Sequence, residues 1–341
     1  MSTKDKPAKR PRRRNNDRAR TATVHRWVRY AIQAAFFILA PAAFSGAFSG
    51  AKYLFSQIGL GRAIEPTAFV VQLAVLVGFT VLFGRFFCGY ACAFGALGDV
   101  LYTVFDAVRA KLGLRRPALP ERLTKVLSLV KYLVLTGIFA ACVVGAWGSV
   151  SGYSPWVAFA AVLAGSAGDA STVALVLLAL VVALMIVRER AFCQLLCPLG
   201  ALFSLVPVLP FSEYVRMRPH CAKRCGRCHA ACPVGIWPDA DAIEHGECIA
   251  CGRCADACPM SNVNMVAIPK EKAVKSAATS TDEQTPRPTR KSRDTWRMLR
   301  GSEVGYTVAR AVLLLLLCWM IGAARYLPPF ADVFGFNPLA F

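Results

Sequence analysis

Arg85-Phe86-Phe87-Cys88-Gly89-Tyr90-Ala91-Cys92-Ala93-Phe94-Gly95-Ala96-Leu97 returns 105 residues downstream as Arg190-Ala191-Phe192-Cys193-Gln194-Leu195-Leu196-Cys197-Pro198-Leu199-Gly200-Ala201-Leu202. Seven of the thirteen positions are identical, among them both cysteines and the closing Gly-Ala-Leu. Self-similarity at this distance marks a duplicated unit. Each copy follows an uncharged apolar run, residues 66–84 and residues 170–187. A further uncharged run precedes each of these, residues 30–48 and residues 132–150, the latter closed by Ser151-Gly152-Tyr153-Ser154-Pro155. The unit therefore reads as span, outer loop, span, cysteine pair. A fifth run, residues 304–324, is interrupted only by Arg310. About 20 apolar residues cross the hydrocarbon core of a bilayer. The expected fold is an α-helical integral membrane protein with about five spanning helices. Its two units run in the same direction, related by an axis along the membrane normal.

Composition agrees. The 341 residues are 56% hydrophobic and only 18% charged, yet the net charge is +20. Soluble globular chains have about 25% charged residues, so the apolar excess and the basic excess must occupy different segments. Uninterrupted apolar runs of this length exclude an ordinary nucleic-acid binder. The length and hydrophobicity also exclude a disulfide-stapled secreted domain, despite 14 cysteines.

Lysine and arginine set the orientation. Ten lie in residues 1–26, seven in 85–125 and seventeen in 188–300, whereas the opposite side has Lys52, Arg62 and Arg325. All basic segments share one face if the amino terminus is cytoplasmic and there are five spans. The leader is too long, and lacks the small-residue site, for a cleaved signal peptide. Its charge reads as a topology signal with affinity for anionic lipid, in preference to a nucleic-acid arm. Residues 191–212 are also uncharged, but Pro198, Pro207 and Pro210 interrupt them. Proline in a helix interior removes a hydrogen bond, so this run is expected at the cytoplasmic interface.

The densest chemistry lies between residues 220 and 260. Cys221-x3-Cys225-x2-Cys228-x3-Cys232-Pro233 is followed by Cys248-x2-Cys251-x2-Cys254-x3-Cys258-Pro259. The second has the spacing of a bacterial ferredoxin; the first has one extra residue between its first two cysteines. Three thiolates of a cubane come from one tight loop, and the fourth cysteine, before proline, ligates the other cluster. One [4Fe–4S] cluster is thus expected on Cys221, Cys225, Cys228 and Cys258, the other on Cys248, Cys251, Cys254 and Cys232. Structural zinc is the competing reading of Cys-x2-Cys pairs, but it does not need the terminal Cys-Pro in both halves. Asp239, Asp241, Glu244 and Glu247 read as a solvated loop, and His220, His229 and His245 as neighbours of the clusters, not ligands.

Cys88, Cys92, Cys193 and Cys197 form the second cysteine constellation. Residues four apart share one helix face, so the two pairs could offer four thiolates to one centre, form redox-active disulfides, or be buried thiols. Cys142 and Cys318 lie alone within spans and read as packing residues.

On these residues the chain resembles the polyferredoxin-like 4Fe–4S membrane proteins of bacterial respiration. That family includes the quinol-linked ferredoxin-type subunit of periplasmic nitrate reduction, the membrane and carboxy-terminal part of the nitrous-oxide-reductase regulator, and the ferredoxin-type protein of methylamine utilisation. The resemblance covers residues 26–268. It departs from the family at Cys92-Ala93, where the pattern has Cys-Pro, and shows no counterpart of the regulator's flavin domain. It implies electron passage between the quinone pool or a cytoplasmic donor and a partner redox system.

The expected organisation is a basic cytoplasmic leader (1–26), a first membrane repeat (27–105), a cytoplasmic connector (106–131) and a second repeat (132–212). A 2[4Fe–4S] module (213–268), a disordered linker (269–303) rich in Lys, Ser, Thr and Pro, a last helix (304–325) and an outer tail (326–341) follow. The expected role is iron–sulfur electron transfer in the bacterial inner membrane, with redox proteins, quinol and lipid as partners and no nucleic acid. The alternative is redox-dependent copper handling or assembly of a periplasmic metalloenzyme, the membrane cysteines being soft-metal ligands. No nucleophile–base pair, phosphate loop or paired carboxylates suggest a self-contained enzyme. No span carries a midplane Asp, Glu or Lys for ion coupling, and His25 alone lies near a span, too few for bis-histidine haem.

Overall fold

A computed structural model describes residues 12–114, 121–163, 165–166, 168, 170–209, 213–216, 225–238, 246–259, 263–266 and 290–324. The described backbone is mostly helical, with one two-stranded antiparallel ribbon. In chain order the first elements are α1 (Arg12–Leu39), α2 (Ala43–Leu60), α3 (Ala68–Phe83), a π-turn (Phe87–Ala91) and α4 (Ala93–Lys111). α5 (Glu121–Ser128), α6 (Val130–Val143), α7 (Trp147–Ser151), α8 (Pro155–Leu163) and α9 (Thr172–Val187) follow. Then come α10 (Ala191–Leu195), α11 (Pro198–Leu205), β1 (Glu213–Arg216), α12 (Arg227–Ala230), α13 (Arg253–Ala257), β2 (Val263–Val266) and α14 (Arg290–Ala324).

Two described segments are long and apolar enough to cross a membrane, Val126–Val143 and Glu303–Gly322. A third arises if α1 and α2 count as one broken span. The uninterrupted span expected over residues 30–48 is corrected here: the chain bends by 64° between Leu39 and Ala43. Pro41 sits in that break, where it has no N–H to continue the ladder. The run expected to reach residue 150 likewise leaves the helix after Val143, because Gly145 takes φ 76°. α3 and α9 are apolar but have 16 residues each, about 24 Å of helix against a core of about 30 Å. Both start on side-chain caps, Thr67 accepting from the Val70 N–H and Ser171 from the Ala174 N–H.

Close packing depends on small residues. Gly50 of α2 lies against the backbone of Phe69 in α3, and Gly59 against Val143 of α6, so the helices approach without intervening side chains. The two repeats meet on an aromatic seam: Phe94 of the first stacks on Phe192 of the second at 5.1 Å, and Phe44 packs on Phe94 at 5.3 Å. Arg310, buried in α14, lies over the rings of Phe86 at 4.7 Å and Tyr306 at 4.5 Å. These faces supply the electron density a buried guanidinium requires.

α14 begins at Arg290, so residues 290–303 of the expected linker are helical. The remainder of that linker, the whole outer tail, and residues 1–11 of the leader lie outside the described residues. The ribbon was not expected; it pairs Tyr214 with Met265 and Arg216 with Val263. Its strands flank the cysteine motifs and bring the two ends of that module together.

Candidate metal centres

The duplicated cysteine segments share a backbone design. After α3, Gly84 takes φ 67° and the chain tightens into the π-turn that carries Cys88. Cys92 then stands in extended conformation, φ −72° and ψ 121°, before the first turn of α4. In the second copy Arg190 takes φ 56°, α10 carries Cys193, and Cys197 stands at φ −73° and ψ 113° before α11. Cys197 caps α11 by accepting the Gly200 N–H at 3.2 Å. Pro198 occupies the first helical turn, where its missing N–H costs nothing. Ala93 adopts the equivalent position in α4, so the absence of proline after Cys92 leaves the turn unchanged.

The repeats are tied by crossed arginines. Arg190 donates to both Asp99 oxygens at 2.7 and 2.6 Å, to the Gly89 carbonyl at 3.0 Å and to the Cys88 carbonyl. Its guanidinium fills the space where a Cβ on Gly95 would stand. Arg85 reciprocates: its Nη2 lies 3.1 Å from the place a Cβ on Gly200 would take. Each repeat's arginine therefore packs on the glycine of the other's helix start. Gln33 of α1 completes the first network, donating to Asp99 at 2.7 Å and to the Gly89 carbonyl at 3.3 Å. Both ions of the Arg190–Asp99 pair are 2% exposed, which makes their mutual neutralisation obligatory. Arg and Gly are two of the seven residues common to both copies, a signal that pointed to this lock but was read only as evidence of duplication.

Cys88, Cys92, Cys193 and Cys197 are buried in one hydrophobic cluster with Phe87, Phe192 and Ile249. Burial pushes the thiols of Cys92 and Cys197 up, and charges on Cys88 and Cys193 reach both. The structure thus brings the four together. Among the described residues no cysteine is disulfide-bonded, and no three His, Cys, Asp or Glu donors are grouped around a position for one metal ion. Cys142 is buried and Cys318 packs against the same cluster, both as core residues.

Of the eight ferredoxin-motif cysteines, seven are described and Cys221 lies outside. α12 holds Cys228 and α13 holds Cys254, each on a single helical turn. Between them the chain turns at Ala250, φ 51°, and Gly252, φ 73°. The left-handed Gly252 lets the Tyr214 hydroxyl of β1 sit where a Cβ would otherwise be. Burial, with the charge of Cys251, pushes the Cys232 thiol up to about 11. Burial also pushes Cys248 up to about 12, and Cys251 and Cys232 add to the effect. Cys254 is driven well above the thiol range by burial and then by Cys251, Cys248 and Cys232. The fourth cysteine of the first motif is therefore beside the first three of the second. Cys258, fourth of the second motif, reaches Cys228. Cys232, Cys248, Cys251 and Cys254 match the donor number of one cubane, which would take them as thiolates; of the other set, the described residues show Cys258 near Cys228.

The module is seated on the membrane cysteines. The Ile249 carbonyl abuts Gly89, which has no Cβ to prevent it. Tyr90 donates to the Cys251 carbonyl at 3.3 Å, and Gln194 donates to the Pro233 carbonyl. Glu189 pairs with Arg253, and His25 Nδ1 meets Asp256 at 2.7 Å. Glu247, expected in a solvated loop, is corrected: it is held by Arg85 at 3.0 Å, Lys131 at 2.5 Å and Tyr132 at 3.0 Å. Burial alone would raise its carboxyl, but Arg85 and Lys131 hold it below the usual range. His229 stacks on Trp237 at 4.7 Å and faces the Gly235 carbonyl at 3.0 Å. His220, His245, Asp239, Asp241 and Glu244 lie outside the described residues.

The family model of a 4Fe-4S binding domain matches residues 65–115 and 170–209, the parts of the two repeats that hold α3 and α9 with the cysteine pairs that follow them. Protein NirI of Paracoccus denitrificans is 32% identical over 54% of this chain and 26% of its own length. Regulatory protein NosR of Pseudomonas aeruginosa is 28% identical over 49% of this chain and 23% of its own. The methylamine utilization ferredoxin-type protein MauN of Paracoccus denitrificans is 29% identical over 51% of this chain and 56% of its own. The chain thus spans about a quarter of the first two relatives and about half of the third. No solved structure matches the chain.

Proposed function

The chain resembles the polyferredoxin-like 4Fe–4S proteins, and from that premise we propose that it is a membrane-bound iron–sulfur electron-transfer subunit. One cluster is assigned to Cys221, Cys225, Cys228 and Cys258, the other to Cys232, Cys248, Cys251 and Cys254. The observation that supports this reading is that Cys232, Cys248, Cys251 and Cys254 lie near enough for their charges to act on one another, on a loop whose Ile249 carbonyl abuts Gly89 beside Cys88. When bound, such clusters accept and release single electrons. The protein's own part is to hold the thiols, exclude water and set the charge around them. Ile249, Tyr90 and Gln194 fix the second cluster's loop against Cys88 and Cys193.

In this proposal the chain crosses the bacterial inner membrane five times, with the amino terminus and clusters cytoplasmic and the carboxy-terminal tail periplasmic. α3 and α9 are the short spans of the two repeats. The donor is quinol or a cytoplasmic redox protein, and the acceptor belongs to a respiratory or periplasmic system. An apolar groove of about 610 Å³ between α1 and α4, with Gln33 and Thr103 among its lining, offers a lipid-soluble donor access beside the Arg190 network. Cys88, Cys92, Cys193 and Cys197 serve as a further redox station at the membrane edge.

The four gathered thiols are also soft-metal donors, which keeps copper handling as the second reading. Purified protein in detergent separates the two. Quinol-dependent reduction of the clusters in the absence of copper is the expected result. Copper binding abolished by replacing Cys88, Cys92, Cys193 and Cys197, with no cluster reduction by quinol or a low-potential cytoplasmic donor, would replace this reading with the second.

A further inference from the structure

The cytoplasmic module is held to the membrane repeats by buried charges, and these are unevenly placed. Arg85, at the start of the first cysteine segment, is 1% exposed; Lys131, at the start of α6, is 0% exposed. Both close on Glu247, the residue immediately before Cys248. Tyr132 donates to the second oxygen of that carboxylate and also meets Ser204 at 2.8 Å. Two further pairs on this side, Arg253 with Glu189 and His25 with Asp256, each set a carboxylate against a base. Beside the loop of Cys248, Cys251 and Cys254, two fully buried cations, Arg85 and Lys131, thus share one carboxylate, Glu247. On the other side of the module, Arg216 donates to the Cys225 carbonyl at 3.3 Å and lies over Trp237, but it is partly exposed, and Arg227 is exposed.

We propose that Arg85 and Lys131, acting through Glu247, are positioning residues that raise the reduction potential of the membrane-proximal cluster relative to the distal one. The inference rests on the assignment of two cubanes given above. Reduction adds one negative charge to a cubane, so a positive surrounding stabilises the reduced state and raises the potential. Exposed cations are screened by water and salt; buried ones are screened much less. Among the described residues, the cations beside the distal cluster, Arg216 and Arg227, thus act weakly on it, whereas Arg85 and Lys131 act strongly on the proximal one. Glu247 has two duties with opposite electrostatic signs. It compensates the two cations so that they can be buried at all, and it limits how far they raise the potential.

That opposition gives a test that a purely structural role would not pass. The full chain is purified anaerobically in detergent, reconstituted with iron and sulfide, and titrated with redox mediators while the cubane signals are followed by EPR. Lys131→Met is expected to lower one of the two midpoint potentials and Glu247→Gln to raise the same one, with the other midpoint unmoved. Lys131→Arg, which keeps the charge, restores the wild-type value and guards against a variant that merely folds badly. Two intact cubane signals with unmoved midpoints in both Lys131→Met and Glu247→Gln would overturn this inference alone. Shifts of the same sign in both variants would overturn it as well. Wild-type protein that shows no pair of cubane signals would instead overturn the assignment on which it rests.

Discussion

Arg190 is the residue on which the membrane half depends most. Its guanidinium neutralises Asp99, closes the carbonyls of Cys88 and Gly89, and fills the space above Gly95. Arg190→Ala leaves Asp99 buried without a counter-charge, a change that costs about 3–5 kcal/mol in comparable pairs. Loss of thermal stability in detergent is the expected readout, and Arg190→Lys recovers only part, since lysine offers a point charge in place of a fork. Asp99 also makes stability depend on pH. Burial alone would raise its carboxyl, but Arg190 holds it below the ordinary range. A group depressed in the folded state contributes stability above its unfolded value, about 3.9, and loses it as pH falls toward the folded one. Melting temperature should therefore fall below about pH 4, and Asp99→Asn should flatten part of that acid limb. An unaltered acid limb in that variant contradicts the account.

At the scale of elements, the turn around Gly252 joins the ribbon to the loop of Cys248, Cys251 and Cys254. Gly252 stands at φ 73° with the Tyr214 hydroxyl filling the space of a Cβ. Gly252→Ala combines backbone strain with collision and is expected to cost one cluster, about half of the iron of a two-cubane protein. Iron quantitation checks it, and an unchanged iron content would show that the turn is not required. Much of this architecture was legible in the chain itself. The Arg-x2-Cys-x3-Cys-x2-Gly-Ala-Leu duplication and the ferredoxin spacing depend on local geometry, which spacing records directly. The break at Pro41 was concealed, because residues 30–48 carry no charge and hydropathy measures composition, not the backbone hydrogen bond that proline lacks. Four-residue strands were too short to give an alternating pattern. The partners of Glu247 lie 162, 116 and 115 residues away in sequence, so nothing local distinguishes it from its acidic neighbours in the loop.

At the scale of the whole molecule, the cysteine-rich module packs on the cysteine segments of both repeats. If the basic segments mark the cytoplasmic face, reporters fused at residue 1 and inserted in the connector 115–120 should respond from the cytoplasm. Reporters placed near Arg62 or after residue 326 should respond from the opposite side. A connector and an Arg62 loop on the same face would contradict five spans. The central claim is narrower: the crossed cysteines hold two cubanes on the membrane repeats. It is tested most directly by iron, zinc and acid-labile sulfide quantitation of the anaerobically purified full chain, with EPR of its reduced form. About eight iron and eight sulfide per chain, with the signal of two interacting cubanes, is the predicted result. Stoichiometric zinc without labile sulfide would contradict it.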